Sequence, residues 1–280
     1  MRKVLLVGFG LVCAALTQAA ALSAGGPSPG VMQGWDGIVR GNVRYVAIPG
    51  EHGTVIAAIR RDGGRVIRFR PVHGSWGIPL VAFDGTTDGL SRDGRTLVLA
   101  SPNAGPPLRT RSSFLVLDTQ RFKVRETVRL KGDFGFDALA PDMHYLYLVE
   151  HISAEDLTRY RVRAYDLRTG RLLAKIVSDK TSWETDMQGM PVSRLRSPDG
   201  GWAYTLYGGA GPRPFIHALD VRHAAAVCID MPWRYQPDNV FQFRLRADGH
   251  GHLIVRGPRG RALAVVDAQS RRLLSFVRNP

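Results

Sequence analysis

From residue 35 onward the chain alternates short apolar runs with polar turns, and no stretch of ten to fifteen residues carries helical periodicity. Four of these runs follow closely related turns. Ser91-Arg92-Asp93-Gly94 precedes Thr96-Leu97-Val98-Leu99-Ala100, and Ala140-Pro141-Asp142-Met143 precedes Tyr145-Leu146-Tyr147-Leu148-Val149. Ser197-Pro198-Asp199-Gly200 precedes Trp202-Ala203-Tyr204-Thr205-Leu206, and Arg246-Ala247-Asp248-Gly249 precedes His252-Leu253-Ile254-Val255. Asp bonds its own backbone in such turns and Gly accepts a positive φ, so β-branched and aromatic runs beside them are predicted to be hairpin strands.

A second recurrence follows each of these strands. Asp62, Asp118, Asp166, Asp220 and Asp267 each end an apolar run and are followed by a short polar turn and another apolar run. Their spacings are 56, 48, 54 and 47 residues, about 51 per unit. A unit of four antiparallel strands repeated along one chain predicts an all-β fold, a β-propeller of about five four-stranded antiparallel blades. The expected blade limits are 35–72, 83–131, 135–178, 191–232 and 240–278. Six blades is the alternative if the inserts 76–83 and 180–191 hide strands. The pattern begins with an inner strand and ends with an outer one, so no strand exchange between the ends is expected to close the ring.

The Ser197-Pro198-Asp199-Gly200 turn with its aromatic-aliphatic strand, and the run Tyr165-Asp166-Leu167-Arg168-Thr169-Gly170-Arg171, resemble the repeats of exported YVTN-type and TolB-type (WD40-like) bacterial β-propellers. Met143 in place of the turn glycine and the Arg-Ala-Asp-Gly turn at 246–249 depart from that pattern. The resemblance implies an exported binding or assembly protein. Lactone-cleaving enzymes are a minority among such propellers.

The first residues read as a targeting segment. Arg2 and Lys3 precede an apolar run from Val4 to about Leu16, followed by small residues ending Ala19-Ala20-Ala21. This predicts a secretory signal over 1–21, a linker over 22–34 and a single propeller domain over 35–280. Retained instead of cleaved, the weakly polar run to Ala24 would be long enough for an anchor. Secretion or association with the cell envelope is the expected localisation, with no membrane span left after cleavage. Cys13 lies in the signal, which leaves Cys228 alone in the mature chain and excludes an internal disulfide.

Charge narrows the class of partner. Lys and Arg number 38 against 24 Asp and Glu, a net charge of +14, or +12 once Arg2 and Lys3 are removed. Such a balance favours anionic partners. Arg60, Arg61, Arg65, Arg68 and Arg70 crowd the first outer hairpin, where Arg68 and Arg70 are expected to face solvent opposite Ile67 and Phe69. Export and the lack of RNP-like or zinc-finger patterns argue against nucleic acid.

Candidate chemistry is sparse. Asp36, Asp88 and Asp137 fall at equivalent places at the start of the innermost strands, with Arg194 in the same column of the fourth blade. Carboxylates at strand starts commonly fix turns. Facing one axis, these three could instead hold Ca²⁺ or another divalent cation, or supply a general base. Weaker leads are His250 and His252 beside Asp248 as zinc ligands, and His217 with Cys228 on one hairpin. Gly26-Pro27-Ser28-Pro29-Gly30 matches the G-x-S-x-G elbow in letters only, because two prolines forbid its strand and helix. No catalytic residue and no required cofactor is assigned.

The expected function is therefore that of an exported binding or scaffold module for a protein or an anionic envelope component. A metal-assisted lactonase-like hydrolase using the channel-mouth Asp cluster is the alternative, and a structural subunit that assembles through exposed ends is a third reading. The sequence sets neither the oligomeric state nor the identity of the partner.

Overall fold

The repeated turns are built as their composition dictates. Ser91 Oγ donates to Asp93 Oδ1 at 2.6 Å and accepts the Thr96 N–H at 2.9 Å, while Asp93 accepts the Arg95 N–H. Ser197, Asp199, Gly201 and Trp202 repeat these bonds one turn for another. Gly94 and Gly200 adopt φ of 72° and 71°, and Met143 takes the same place at 64° without a glycine. At the opposite hairpins, Asp118 Oδ1 accepts the N–H groups of Gln120 and Arg121, and Asp166 Oδ1 those of Arg168 and Thr169. Most of the recurring aspartates are turn-forming groups first.

A computed structural model describes residues 29–103, 108–177, 186–209, 213–234 and 237–277. The signal segment and most of the linker lie outside these residues, as do parts of the long loops 102–112, 180–191 and 208–214. The described residues form five consecutive antiparallel sheets. Blade one is Gly37–Arg40, Val43–Gly50, Gly53–Arg60 and Val66–Val72. Blade three is Asp133–Leu139, Tyr145–His151, Arg159–Asp166 and Arg171–Val177. Blade four is Met190–Arg196, Trp202–Gly208, Phe215–Asp220 and Ala225–Asp230. Blade five is Arg244–Ala247, His252–Arg256, Ala262–Asp267 and Arg272–Phe276.

Blade two departs from the repeat. Three full strands, Thr96–Ala100, Arg111–Asp118 and Lys123–Lys131, are joined at the inner edge by isolated bridges, Leu90 to Leu97 and Gly77 to Ala100, in place of a fourth strand. The chain between these bridges is engaged elsewhere: Phe83 N–H donates to Pro191 O and Asp84 N–H to Val192 O, on the innermost strand of blade four. Neither insert builds a further blade among the described residues. Ile78–Pro79 pairs with Val31–Met32 as a separate ladder, and Met187–Gln188 joins the third strand of blade three. The first and last sheets each consist of four consecutive strands, and among the described residues no strand is exchanged between them.

Strand alternation explains how the blades hold together. Along Tyr145–His151, Leu146 and Leu148 face blade two, where they meet Val98, Phe114 and Val116; Tyr147 and Val149 face blade four, where they meet Ala203, Tyr207 and Leu219. The same logic joins Ile56 and Ala58 to Leu97 and Leu117, and Leu206 and Ile216 to Leu253 and Val255. Blades two, three and four thus use both faces, and four apolar clusters each span a pair of neighbours. A fifth cluster, Val46, Ala57 and Ile59 with Ile48, belongs to blade one alone among the described residues. Leu148→Ala, at a fully buried site between two blades, is expected to lower stability by about 2–5 kcal/mol in urea unfolding. Leu274→Ala, exposed on the outer strand of blade five, should stay within about 0.5 kcal/mol.

Candidate functional site

Two arginines spaced two apart on the innermost strand of blade four organise the axis. Arg194 Nη1 donates to Asp137 Oδ1 at 2.6 Å and to Thr205 Oγ1 at 2.5 Å, and its Nη2 donates to the Asp137 carbonyl at 2.7 Å. Arg196 Nη1 donates to Asp88 Oδ1 at 3.1 Å and its Nη2 to the Leu139 carbonyl at 2.7 Å. The side chains of Arg194 and Asp137 are only 1% and 3% exposed. Asp137 reaches this position because the register between Phe136 and Ala138 shifts there, a bulge that re-aims one side chain. Asp88 also accepts the Gly89 N–H at 2.7 Å.

The segment that leaves blade two completes the arrangement. Ser193 Oγ donates to Asp84 Oδ2 at 2.6 Å and accepts the Leu245 N–H at 2.9 Å, so one hydroxyl links blades two, four and five. Asp84 Oδ1 in turn accepts from the Thr86 backbone and hydroxyl. Burial alone would lower the Arg194 pKa, but the carboxylates of Asp137 and Asp88 raise it above its ordinary value and keep the guanidinium charged.

Of the four sequence candidates, Asp88, Asp137 and Arg194 come together, with Arg196 as the partner that sequence reasoning missed. Asp36 does not join them: it is exposed in the turn before Gly37–Arg40 and makes no hydrogen bond to either arginine. Chemically the cluster is a brace, in which each carboxylate gives one oxygen to a guanidinium. A hard cation would have to compete with two fixed positive charges. Among the described residues, no group of three or more His, Cys, Asp and Glu side chains is placed to hold a metal ion.

A second buried charge cluster lies at the other end of the strand Asp133–Leu139. Asp133 Oδ1 accepts from Arg109 Nε at 2.9 Å and lies 3.3 Å from His151 Nδ1, while Arg109 Nη2 donates to Phe134 O. Burial pushes the Asp133 carboxyl up, but the hydrogen bond to His151 and the Arg109 charge outweigh it and hold the pKa near 2. Asp133 and His151 are directly opposite one another in the strand pair. The remaining histidine leads resolve into turns and sheet pairs. His252 Nδ1 lies 2.6 Å from Asp248 Oδ2, and His217 sits directly opposite Cys228 on adjacent strands.

The arginines of the first hairpin behave differently from the expectation. Arg68 and Arg70 do share a face, but it is turned toward blade two, where they donate to the carbonyls of Gln120 and Phe122. Arg68 is still exposed, as are Ile67 and Phe69, while Arg70 is half-buried. Arg60 is bonded to Asp62, whereas Arg61 and Arg65 remain at the surface. A basic site the sequence analysis passed over lies on the rim of blade two. Arg111 and Lys131 are directly opposite one another, and with Arg129, Thr110 and Leu130 they line a surface cavity of about 460 Å³. Among the described residues none of the three cations makes an ion pair, and the i, i+2 alternation in Arg129-Leu130-Lys131 was the available signal.

Asp137→Asn, which leaves Arg194 buried beside a neutral amide, is expected to destabilise the fold by about 3–5 kcal/mol in chemical denaturation. Stability should also fall with acid in a defined window. Asp133 has a depressed pKa, so its contribution is complete above the ordinary aspartate range near 4 and is lost as the pH drops toward about 2. Thermal melts between about pH 5 and pH 2 should show this loss, and it should be smaller in Asp133→Asn.

No protein-family model matches the chain, and no curated protein matches it. Solved structures do. A functionally unknown protein from Desulfotomaculum acetoxidans is similar with a TM-score of 0.51 at 12% identity, over 89% of this chain and 69% of that one. Hydrazine synthase from Kuenenia stuttgartiensis gives 0.48 at 12% identity, over 90% of this chain and 66% of that one. The Swd1 β-propeller domain of Myceliophteria thermophila gives 0.46 at 16% identity, over 84% and 71%. The chain thus spans about two thirds of the length of the solved chains it matches. The five consecutive sheets are those of a β-propeller.

Proposed function

We propose that the chain is an exported binding or scaffold module whose rim docks on an anionic component of the cell envelope. The observation that carries this reading is the cationic cavity on blade two: Arg111, Arg129 and Lys131 converge with no acidic side chain among its lining residues. Like charges set directly opposite on paired strands are unfavourable in isolation. An anion that neutralises them recovers that cost on binding. The signal-like segment over 1–21 and the net charge of +14 support the same reading, because they bring a basic protein to anionic surfaces. The ion-paired axis suits a rigid support for the rim better than a reaction centre.

The protein should be retained on isolated cell envelopes at about 0.15 M salt and released at about 1 M, where screening shortens the reach of charge from about 8 to about 3 Å. Arg111→Gln, Arg129→Gln and Lys131→Gln combined should weaken retention at least about ten-fold, since exposed substitutions of this kind leave the fold intact. Retention indifferent to both salt and the triple substitution would contradict the reading. If one protein co-eluted at high salt, recognition by shape would replace recognition by charge.

A further inference from the structure

Nine large apolar side chains are exposed among the described residues, and five of them, Trp35, Val39, Val66, Ile67 and Phe69, lie in blade one or the turn before it. The strand register groups three of them, Val39, Val66 and Phe69, on one face. Val39, Arg44, Ile59 and Val66 form one row across the sheet, and Gly37, Val46, Ala57 and Phe69 form the next. These rows lie on the face turned away from blade two. Its centre is the Val46, Ala57 and Ile59 cluster, which no other blade joins among the described residues. Trp35 is 67% exposed and Phe69 66%, so aromatic rings stand in solvent at its inner and outer margins.

The cations around this face are as telling as the apolar groups. Trp35, Ile59, Arg44, Asn42, Arg60, Arg61, Asp62 and Gly64 line a surface cavity of about 600 Å³ at its corner. The acid among them, Asp62, is bonded to Arg60 at 2.7 and 2.5 Å. Among the described residues Arg44, Arg61 and neighbouring Arg65 have no acidic partner. Arg44 and Arg61 donate to the backbone carbonyls of Trp35 and Gly41. Two such faces brought together from two copies would oppose arginine to arginine. Head-to-tail contact with blade five fares no better, because its outward face carries Arg246, and Arg244 directly opposite Arg256.

We infer that this face of blade one docks on an anionic lipid bilayer, with Trp35 and Phe69 entering the boundary between headgroups and acyl chains and Arg44, Arg61 and Arg65 meeting the lipid phosphates. A tryptophan ring matches that boundary because it is apolar in body and polar at one edge. Cations beside inserted apolar side chains gain from both the buried area and the surface potential. The inference rests on the envelope-binding reading above and names lipid as its target on this blade.

Co-sedimentation with phosphatidylcholine vesicles, with and without about 30 mol% phosphatidylglycerol, tests it. Binding should require the anionic lipid. It should fall about five-fold for each of Arg61→Gln and Arg65→Gln, and at least about ten-fold for Trp35→Ala with Phe69→Ala. Unchanged melting temperatures would confirm that these exposed substitutions spare the fold. Brominated acyl chains should quench part of the tryptophan emission in the unmodified protein, and that part should vanish in Trp35→Phe. Failure to bind the anionic vesicles while envelope retention persists would overturn the lipid assignment and leave the broader reading standing. A dimer by light scattering in which Trp35 becomes protected would overturn it too, in favour of a second copy.

Discussion

The arrangement depends on one buried ion pair. Arg194 and Asp137 are both removed from solvent, and each would be costly to bury alone. The Asp137 carboxylate and carbonyl and the Thr205 hydroxyl accept from both terminal nitrogens of Arg194, and in doing so they tie the inner strand of blade four to that of blade three. Arg196 extends the connection to Asp88 and Leu139. Apolar clusters hold neighbouring blades face to face, but such contacts are tolerant of sliding. The guanidinium geometry is not, because its donors fit only one placement of the carboxylate. The axis therefore supplies alignment, and the apolar faces supply most of the cohesion.

Much of the fold was legible in the sequence because each repeat carries its own turn chemistry. Asp118, Asp166 and Asp220 ended the runs they were expected to end, and the strands between them appeared in the expected order. Blade two was less readable: its inner edge is thin because residues 83 and 84 bond to blade four, a tertiary contact with no local signature. At the axis, the column of aspartates pointed to the right residues in blades two and three. It could not reveal that arginines would occupy the carboxylates, since the bulge that turns Asp137 inward depends on the paired strand. Asp36 shared the column's sequence pattern but not its surroundings.

The first hairpin carries a similar lesson. Alternation placed Arg68 and Arg70 on one face and Phe69 on the other, and that much is observed. Which face met the neighbouring blade was beyond the pattern. The carbonyls of Gln120 and Phe122 decide it, because they need donors and the long arginine side chains can reach them across the gap. Polar groups are thereby drawn to the inter-blade side and apolar ones left at the surface, the reverse of the usual assignment for an edge strand.

The segment through Asp84 has a consequence for cooperativity. A stack of blades that touch only their neighbours behaves as a one-dimensional array, able to fray from either end one unit at a time. The Ser193 hydroxyl breaks that independence, because it joins Asp84 of blade two to Leu245 of blade five through blade four. Opening the last blade must disturb a bond that is shared with the second. Amide protons along Met190–Arg196 should then exchange with solvent only through openings that engage most of the molecule.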